Sequence, residues 1–439
     1  MFAGLKSSFC QAFFKKLSLS KPFPLHQCMD ILTRGPPPWK SVEWIQSPLW
    51  ATISIPDLTF ATVWQTDHDT EIMKIKQQIE DLDKEHRWEL AKKMVNMYEL
   101  VYTHNDERLP PSLSIIIPLS RSFFKMVEIM DVLQFFKDIP TKFTSAHIAE
   151  GPGGFIQALY TVAETNKRSI TASIAMTLKP TNPHVPGWKK ATQFLQKHKQ
   201  VSVQYGADGT GDIYKPENQA SYIQHCQALG GVHIFTADGG FDFSVDYSLQ
   251  EQQVYHLLLC SATTGLRVLR QGGYFVLKIF ECTSPHTKLF VQLLSYCFKS
   301  WTLYKPAMTR PCNSERYFLG KGFRACSKPI IDLLLQIQEQ SATEAFPVTS
   351  SALTECPFLE SHIAKMTAAQ IESIGAALKL ADSPTEWWEQ WYPRVLARSY
   401  QWCEYFKILY TPTHSQINAT IARFPHQVAH ISHKGAYQL

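Results

Sequence analysis

The sequence has no apolar run long enough to cross a membrane, since nowhere do about 18 apolar residues follow one another. Residues Met1–Cys10 contain no unbroken apolar core of the kind that a secretory signal peptide needs. Only ten cysteines occur among 439 residues, with no Cys-x-x-Cys pair and no compact framework. This spacing argues against a secreted disulfide scaffold or a zinc ribbon, and it predicts reduced thiols in a soluble, cytoplasmic chain without a membrane partner.

Strong charge of one sign is also missing. Lys and Arg number 43, and Asp and Glu number 38, so the formal net charge is only +5. This mild excess permits an anionic partner such as nucleic acid without requiring one. His426 and His430 stand four residues apart near His433, but no carboxylate or cysteine completes a ligand set, so we expect no metal there.

The most informative stretch is His147–Phe155, an apolar run that stops at an acid, Glu150, and continues in a glycine-rich turn. Such a turn after a buried parallel strand brings a loop to the ligand-binding edge of an α/β sheet. The helix that follows begins at Phe155 and offers free N–H groups to a ligand. We therefore predict a cofactor site formed by Glu150, Gly151, Pro152, Gly153, Gly154 and Phe155.

Two other interpretations of this turn stay open. Dinucleotide enzymes use Gly-x-Gly-x-x-Gly followed about 20 residues later by an acid, but the glycine spacing here differs. The next predicted strand ends at Thr177 and Leu178 without an acid. A plain tight turn that only lets the helix pack on the strand is the second alternative.

Strands and helices alternate between residues 145 and 325, which predicts a doubly wound α/β sheet. We expect it to be parallel except where the last two strands pair as a hairpin. The predicted strands are 145–150, 169–178, 201–205, 231–237, 272–280, 301–305 and 315–320. The predicted helices are 155–165, 186–198, 215–228, 248–270 and 286–298.

The flanking regions predict mostly helical extensions, giving three domains at 1–110, 111–325 and 326–439. An amphipathic helix is expected over 69–102, and short strands over 50–54 and 60–64. Residues 341–354 are Ser/Thr-rich and typical of a linker. Ser383 and Glu386 form a capping box before Trp387. For Trp387, Trp388, Trp391 and Trp402, packing in a core is favoured over stacking on bases or a cap.

Four charged residues align with the predicted sheet. Lys125 lies on the preceding helix, Asp238 follows the fourth strand, Lys278 lies within the fifth, and Glu315 is the first residue of the last. A lysine in a buried strand needs an acid nearby, because an isolated buried ammonium is unstable. Two lysines with two carboxylates make a charge-balanced cluster that suits deprotonation of a sugar hydroxyl and its attack on an electrophilic methyl group.

A loop between the third strand and the next helix supplies another candidate. Residues 205–213 contain three glycines and two acids, a composition that suits a loop wrapped around a ligand. Asp212 is the candidate acceptor for an exocyclic amine. A solvated turn is the alternative.

These residues resemble the FtsJ/RrmJ-type ribose 2′-O-methyltransferases, which use a Lys-Asp-Lys-Glu tetrad and S-adenosylmethionine. The likeness is greatest to the eukaryotic and viral mRNA cap ribose methyltransferases, including the Adrift type, and the chain as a whole resembles the versions of large DNA viruses. The motifs are Ala149-Glu-Gly-Pro-Gly-Gly-Phe155, Met176-Thr-Leu-Lys-Pro180, Thr210-Gly-Asp-Ile213, Thr236-Ala-Asp-Gly-Gly240, the strand holding Lys278, and Asn313-Ser-Glu-Arg-Tyr317.

The resemblance implies a Rossmann-like, class I methyltransferase fold with Lys278 as the general base. It also implies that Asp238 and Lys125 position the 2′-hydroxyl and that Glu315 supports Lys278. Residues 150–154 would hold the methionine part of the cofactor and Asp212 its adenine. One departure is that bacterial members carry an acid after the second strand for the cofactor ribose, where this chain has Thr177 and Leu178; Asp208 is a possible substitute.

The expected function is S-adenosylmethionine-dependent 2′-O-methylation of RNA at the cap-proximal nucleotide of mRNA. A methyltransferase of structural RNA and a catalytically idle scaffold that binds RNA or a partner are the alternatives. For a viral chain, the expected location is the replication site in the host cytoplasm or the virion.

Overall fold

A computed structural model describes residues 37–48, 58–65, 70–79, 87–103, 108–180, 187–240, 249–325, 327–348, 357–384 and 387–410. The predicted strand 50–54, Glu386 of the capping box, and the three C-terminal histidines lie outside these residues. The described residues form two compact units. One unit comprises the described parts of 97–117 and 387–410, and the other those of 37–96 and 118–384. The division at 110 and 325 stays a prediction, because compactness alone does not show which segments fold by themselves.

An eight-stranded sheet forms the centre of the larger unit, which also holds a separate two-stranded sheet. The strands in chain order are β1 (Ile45–Gln46), β2 (Phe60–Ala61), β3 (Lys142–Ile148), β4 (Ser169–Met176), β5 (Val201–Gln204), β6 (Val232–Ala237), β7 (Leu269–Ile279), β8 (Phe298–Tyr304), β9 (Arg316–Phe323) and β10 (Phe346–Pro347). The large sheet has the order β1-β8-β9-β7-β6-β3-β4-β5, and β10 pairs with β2.

The predicted doubly wound sheet is confirmed. Strands β3 to β7 pair in parallel where they adjoin, and β8 and β9 form the expected antiparallel pair. Strand β9 also inserts between β7 and β8 and runs antiparallel to both. The alternation of strands and helices along the sequence does not predict this insertion. Which strand of the β8–β9 hairpin pairs with β7 depends on contacts between distant parts of the chain.

Helices separate most of these strands. They are α1 (Glu71–Gln77), α2 (Trp88–Met94), α3 (Ser122–Val132), α4 (Phe135–Asp138), α5 (Gly154–Thr165), α6 (Thr192–Lys197), α7 (Pro216–Gln227), α8 (Gln250–Val268), α9 (Pro285–Tyr296), α10 (Lys328–Ser341), α11 (Pro357–Asp382) and α12 (Tyr392–Tyr405). Single 3₁₀ turns occur at Pro38–Lys40, Glu99–Val101 and Trp188–Ala191, and a π turn occurs at Trp387–Trp391.

The single amphipathic helix predicted over 69–102 is not continuous in the described residues. Its apolar positions fall on α1 and α2, whose buried side chains include Ile72, Trp88 and Met94. The segment 341–354, predicted as a linker, contains β10. These short elements are missed because helical periodicity shows an apolar face but not where the chain turns.

Alternating side chains of the sheet face two different helical layers, as strand geometry requires. Phe143 and Tyr274 pack against Phe135 of α4, on the side that also carries Lys278. On the opposite side, Phe235 and Phe275 belong to a core with residues of α7 to α10. Burial on both faces explains the nearly continuous apolar strands.

The smaller unit packs aromatic side chains in its interior. Trp387 is 1% exposed and Trp402 is fully buried, so the core interpretation of these two tryptophans is confirmed. Its chain segments are joined by backbone hydrogen bonding between Ser114 and Tyr410. In the part of the chain that the structure describes, no helix combines the length and apolar character needed to span a membrane.

Candidate active site

The four charged residues predicted from the sequence lie together at the carboxyl edge of the sheet. Lys125 Nζ on α3 is 2.6 Å from Glu315 Oε1, and Lys278 Nζ on β7 is 3.3 Å from Asp238 Oδ1. All four side chains are only 12–13% exposed. We call this cluster the tetrad. Each buried lysine therefore has its own carboxylate, which offsets the unfavourable desolvation of both charges.

The pairing within the tetrad differs in one respect from the implied one. Glu315 is hydrogen-bonded to Lys125 and not to Lys278. Lys278 instead donates to the backbone carbonyl of Asp238 at 2.8 Å, in addition to its ion pair with that residue. The amine of Lys278 is thereby fixed to the end of β6.

Two hydroxyl groups complete the cluster. The Tyr317 hydroxyl lies 2.8 Å from Asp238 Oδ1 and 3.0 Å from Glu315 Oε1, so it bridges the two carboxylates. Thr309 Oγ1 donates to Glu315 at 3.0 Å. A phenol has one proton to donate, so it is shared between the two acids.

The surroundings set the charge state of the acids. Burial alone would raise the pKa of Glu315, but the charges of Lys125 and Lys278 and the hydrogen bonds from Lys125 and Thr309 lower it to about 2. Burial and the adjacent Asp238 and Glu315 charges raise the pKa of Tyr317 well above its usual value. At neutral pH the site therefore holds an ionised Glu315 and a neutral Tyr317 that can donate.

The glycine-rich turn lies between β3 and α5, as predicted, but its glycines make room for protein side chains. A Cβ on Gly153 would lie 2.8 Å from the Trp188 ring, and Gly153 has a φ of +102°. A Cβ on Gly154 would collide with the hydroxyls of Ser120 and Ser122. Close packing within the chain therefore requires glycine at these two positions, in addition to the backbone contact with a cofactor that the sequence predicts.

The carboxylate of Glu150 faces the protein interior. It contacts His147 Nδ1 at 3.2 Å and accepts a hydrogen bond from Thr236, and its side chain is 1% exposed. Burial raises the pKa of Glu150, although His147 and the hydrogen bonds act in the opposite direction. Burial therefore favours the protonated form of Glu150 relative to an exposed glutamate.

A cavity of about 650 Å³ adjoins the tetrad and the turn. Ala149, Glu150, Gly151 and Pro152 line one side, and Asp238, Lys278 and Glu315 line another. The remaining wall includes residues of α1, α2 and α11, among them Lys76, Trp88, Lys92 and Gln370. Gly153 and Gly154 support the turn without lining the cavity, and the Phe155 ring is buried 5.8 Å from the Tyr317 ring.

The predicted adenine-binding residue is not part of this cavity wall. Asp212 lies in the loop after β5, where its carboxylate accepts from the Tyr214 backbone at 2.9 Å. Asp208 is exposed and is held by Thr210 and Lys215 of the same loop and by Asn218 of α7. The loop reaches the carboxyl end of β4, since Lys179 N donates to Thr210 O.

Sequence reasoning missed Tyr317, Thr309 and the wall residues of α1, α2 and α11. A signal existed for Tyr317, because it stands two residues after Glu315 and strand periodicity places both on one face. The sequence contains no comparable signal for the wall residues of α1, α2 and α11. An amphipathic pattern indicates that a helix has a buried face, but not which part of the protein that face packs against.

The parallel sheet with an inserted antiparallel strand, helices on both faces and a glycine turn after β3 defines a Rossmann-like methyltransferase fold. Within this class, residues 118–323 match the family described as FtsJ-like methyltransferase. This segment contains the turn and all four residues of the tetrad.

Curated relatives match much the same part of the chain. Cap-specific mRNA (nucleoside-2′-O-)-methyltransferase 1 of Homo sapiens is 33% identical over 199 residues, which cover 44% of this chain and 23% of that protein. The protein of the same name from Trypanosoma brucei brucei is 33% identical over 187 residues, covering 42% and 48%. The chain thus spans less than half the length of these relatives.

Solved structures include a Plasmodium falciparum protein described as a ribosomal RNA methyltransferase. It is 18% identical, covers 47% of this chain and 98% of its own, and has a TM-score of 0.32.

Proposed function

We propose that the chain transfers a methyl group from S-adenosylmethionine to the 2′-hydroxyl of an RNA ribose at the cap-proximal nucleotide of mRNA. The observation that supports this most is the tetrad, in which two lysines and two acids pair, and three of these residues (Asp238, Lys278 and Glu315) line the same cavity as the glycine turn. This arrangement offers a base, orienting groups and a cofactor site within one enclosure.

The structure suits such a cofactor. Residues 149–152 of the turn line the cavity, so their backbone can contact a cofactor there. When bound there, S-adenosylmethionine supplies an electrophilic methyl group on a sulfonium centre. The volume of about 650 Å³ is within the range of small-molecule and cofactor sites.

In this proposal Lys278 acts as the uncharged amine and accepts the proton of the ribose hydroxyl. Its amine is held by the side chain and the backbone carbonyl of Asp238, so it can approach a hydroxyl from one direction only. Lys125 is hydrogen-bonded to Glu315, and this second lysine–acid pair of the tetrad orients the acceptor oxygen. Proximity and orientation of this kind supply most of what such a transfer needs from the protein.

The central test replaces the base. Lys278→Ala should abolish methyl transfer, since it removes the amine that accepts the hydroxyl proton in this proposal, while the fold and S-adenosylmethionine binding persist. Lys288→Ala is the matched control, because Lys288 is a lysine paired with Glu360 on a different helix. Methylation is measured by mass spectrometry of a capped oligonucleotide, and activity retained in Lys278→Ala would remove Lys278 from the base role.

The choice of acceptor draws support from the relatives that are described as cap-specific mRNA methyltransferases. We expect a capped short RNA to be methylated and the same RNA without its cap to be a much poorer acceptor. Equal methylation of both would favour structural RNA as the substrate. Isothermal titration with S-adenosylmethionine separates either enzyme from an idle scaffold, for which we expect no binding.

We include in this proposal a source and a location in the cell. The likeness of the whole chain to the FtsJ-like methyltransferase of African swine fever virus supports a viral source and action at a cytoplasmic replication site. Imaging of a tagged chain in infected cells tests it, and a nuclear location would contradict it.

A further inference from the structure

One segment of the chain carries several basic residues and no acid. Residues 165–207 contain seven Lys and Arg and no Asp or Glu. Because the whole chain carries a formal net charge of +5, all other residues together carry −2. A basic segment of this length without acids is a candidate contact surface for a polyanion.

This segment forms one edge of the large sheet. It contains β4, the Trp188–Ala191 turn, α6 and β5, and β5 is the terminal strand. Five of its lysines lie between the end of β4 and the start of β5, and all five are exposed. They are Lys179, Lys189, Lys190, Lys197 and Lys199. We call these five lysines the basic edge.

The lysines of the basic edge differ from other lysines of the surface in their partners. Among the described residues, none of its five lysines forms an ion pair. Other surface lysines do form one, as Lys215 does with Asp208, Lys288 with Glu360 and Lys328 with Asp332. Five exposed ammonium groups without a carboxylate repel one another, and an external anion would relieve this repulsion.

The basic edge is joined to the candidate active site. Trp188 precedes Lys189 and Lys190 directly, and its ring lies against Gly153 of the glycine turn. The chain then runs through α6 to Lys197 and Lys199, which lie at the other end of that helix. An anionic chain extending from the cavity past the turn would meet these lysines in succession.

We propose that the basic edge binds the phosphates of the RNA chain beyond the acceptor nucleotide. The inference rests on the proposed function, because the acceptor there is the end of a longer RNA. Lysine contacts to phosphate position a nucleic acid without reading its sequence. The basic edge should therefore favour long acceptors over short ones, independently of base composition.

The test removes the charge without changing the tetrad or the turn. In one variant Lys189, Lys190, Lys197 and Lys199 are replaced by Gln. In the control variant Lys299, Lys328, Lys365 and Lys379, which are also exposed, are replaced by Gln, so the change in net charge is the same. Binding of a labelled RNA of several tens of nucleotides is measured by fluorescence anisotropy at several salt concentrations.

For the first variant we expect the Kd for the long RNA to rise about tenfold or more. Its dependence on salt should weaken by about 0.7 in logarithmic slope for each phosphate that the variant no longer binds. The KM for a capped dinucleotide should not change. The control variant should match the unaltered protein in both assays.

Equal binding of the long RNA by the two variants would overturn the proposal. Binding to vesicles of anionic phospholipid is measured for the same two variants. If the first variant loses binding to vesicles but not to RNA, the basic edge is a membrane contact and the proposal is wrong. The anisotropy assay does not require methyl transfer. A chain that binds long RNA through the basic edge yet methylates no capped RNA would contradict the proposed function and leave the RNA-binding surface established.

Discussion

At the scale of single residues, the hydroxyl of Tyr317 holds the two acids of the tetrad in one arrangement. Without it, Asp238 and Glu315 lose a shared donor, and each keeps one lysine as partner. We predict that Tyr317→Phe lowers kcat by about tenfold, equivalent to about 1.4 kcal/mol in the activation barrier. Steady-state kinetics with a capped oligonucleotide measure this change.

Tyr274→Phe is the matched control for this substitution. Tyr274 lies on the neighbouring strand β7 and packs on Phe135, away from the two acids. An equal loss of kcat in both variants would show that Tyr317 acts only through general packing. A loss confined to Tyr317→Phe, with the Kd for S-adenosylmethionine unchanged, is the expected outcome.

The inward-facing carboxylate of Glu150 predicts a dependence of stability on pH. Burial raises its pKa above the ordinary value of 4.5, so the folded chain keeps this proton to higher pH than the unfolded chain does. Between the two pKa values the folded state binds more protons, and its stability falls as the pH rises through that window. Glu150→Gln cannot titrate, so its stability relative to the unaltered protein should rise as the pH goes from 4.5 toward neutrality.

Urea unfolding at a series of pH values measures this difference. Glu164→Gln serves as control, because Glu164 is an exposed acid near the end of helix α5, which follows the glycine turn. A stability difference that stays constant with pH would mean that Glu150 has the same ionisation in the folded and unfolded chain.

At the scale of elements, one buried ion pair ties α1 to the strand that carries Lys278. Lys76 on α1 pairs with Glu281, which follows β7, and the two side chains are 8% and 7% exposed. We predict that Lys76→Met destabilises the chain by about 3–5 kcal/mol, because the buried carboxylate of Glu281 would lose its ion-pair partner. Denaturant unfolding measures the change in the free energy of unfolding.

The double variant Lys76→Met with Glu281→Met separates this cause from simple loss of packing. If the penalty comes from the unpaired charge, the second substitution should restore much of the lost stability. If the double variant is less stable than Lys76→Met, the carboxylate has other favourable partners, and the ion pair is not the reason for the loss.

The elements differ in how far the sequence could predict them. Strands β3 to β7 were recognisable because each is an apolar run buried on both faces and bounded by turns. The glycine turn and the tetrad were recognisable from motifs whose residue types suit one chemistry. The Lys125–Glu315 pairing was not, because these residues are 190 positions apart and either lysine could have reached either acid.

At the scale of the whole larger unit, segments outside residues 118–323 complete the candidate active site. Helices α1 and α2 precede that segment and α11 follows it, yet all three contribute to the cavity wall. Helix α11 is hydrogen-bonded to the loop that precedes Glu315, since Gln370 Nε2 donates to Cys312 O at 3.1 Å. The part that resembles the relatives therefore supplies the chemistry, and the flanking helices supply the opposite wall.

Substitutions in the flanking helices should therefore change KM, whereas substitutions in the tetrad should change kcat. Lys92 on α2 lines the cavity, and its side chain is 13% exposed beside Glu89. Lys92→Ala should raise the KM for capped RNA about tenfold while kcat and the Kd for S-adenosylmethionine stay the same, because an interaction that is equally strong in the ground and transition states affects binding alone. Lys93→Ala is the control, since the neighbouring Lys93 does not line this cavity. A fall in kcat without a change in KM would instead place Lys92 in the chemistry of the tetrad, and the wall formed by α2 would then belong to the catalytic apparatus itself.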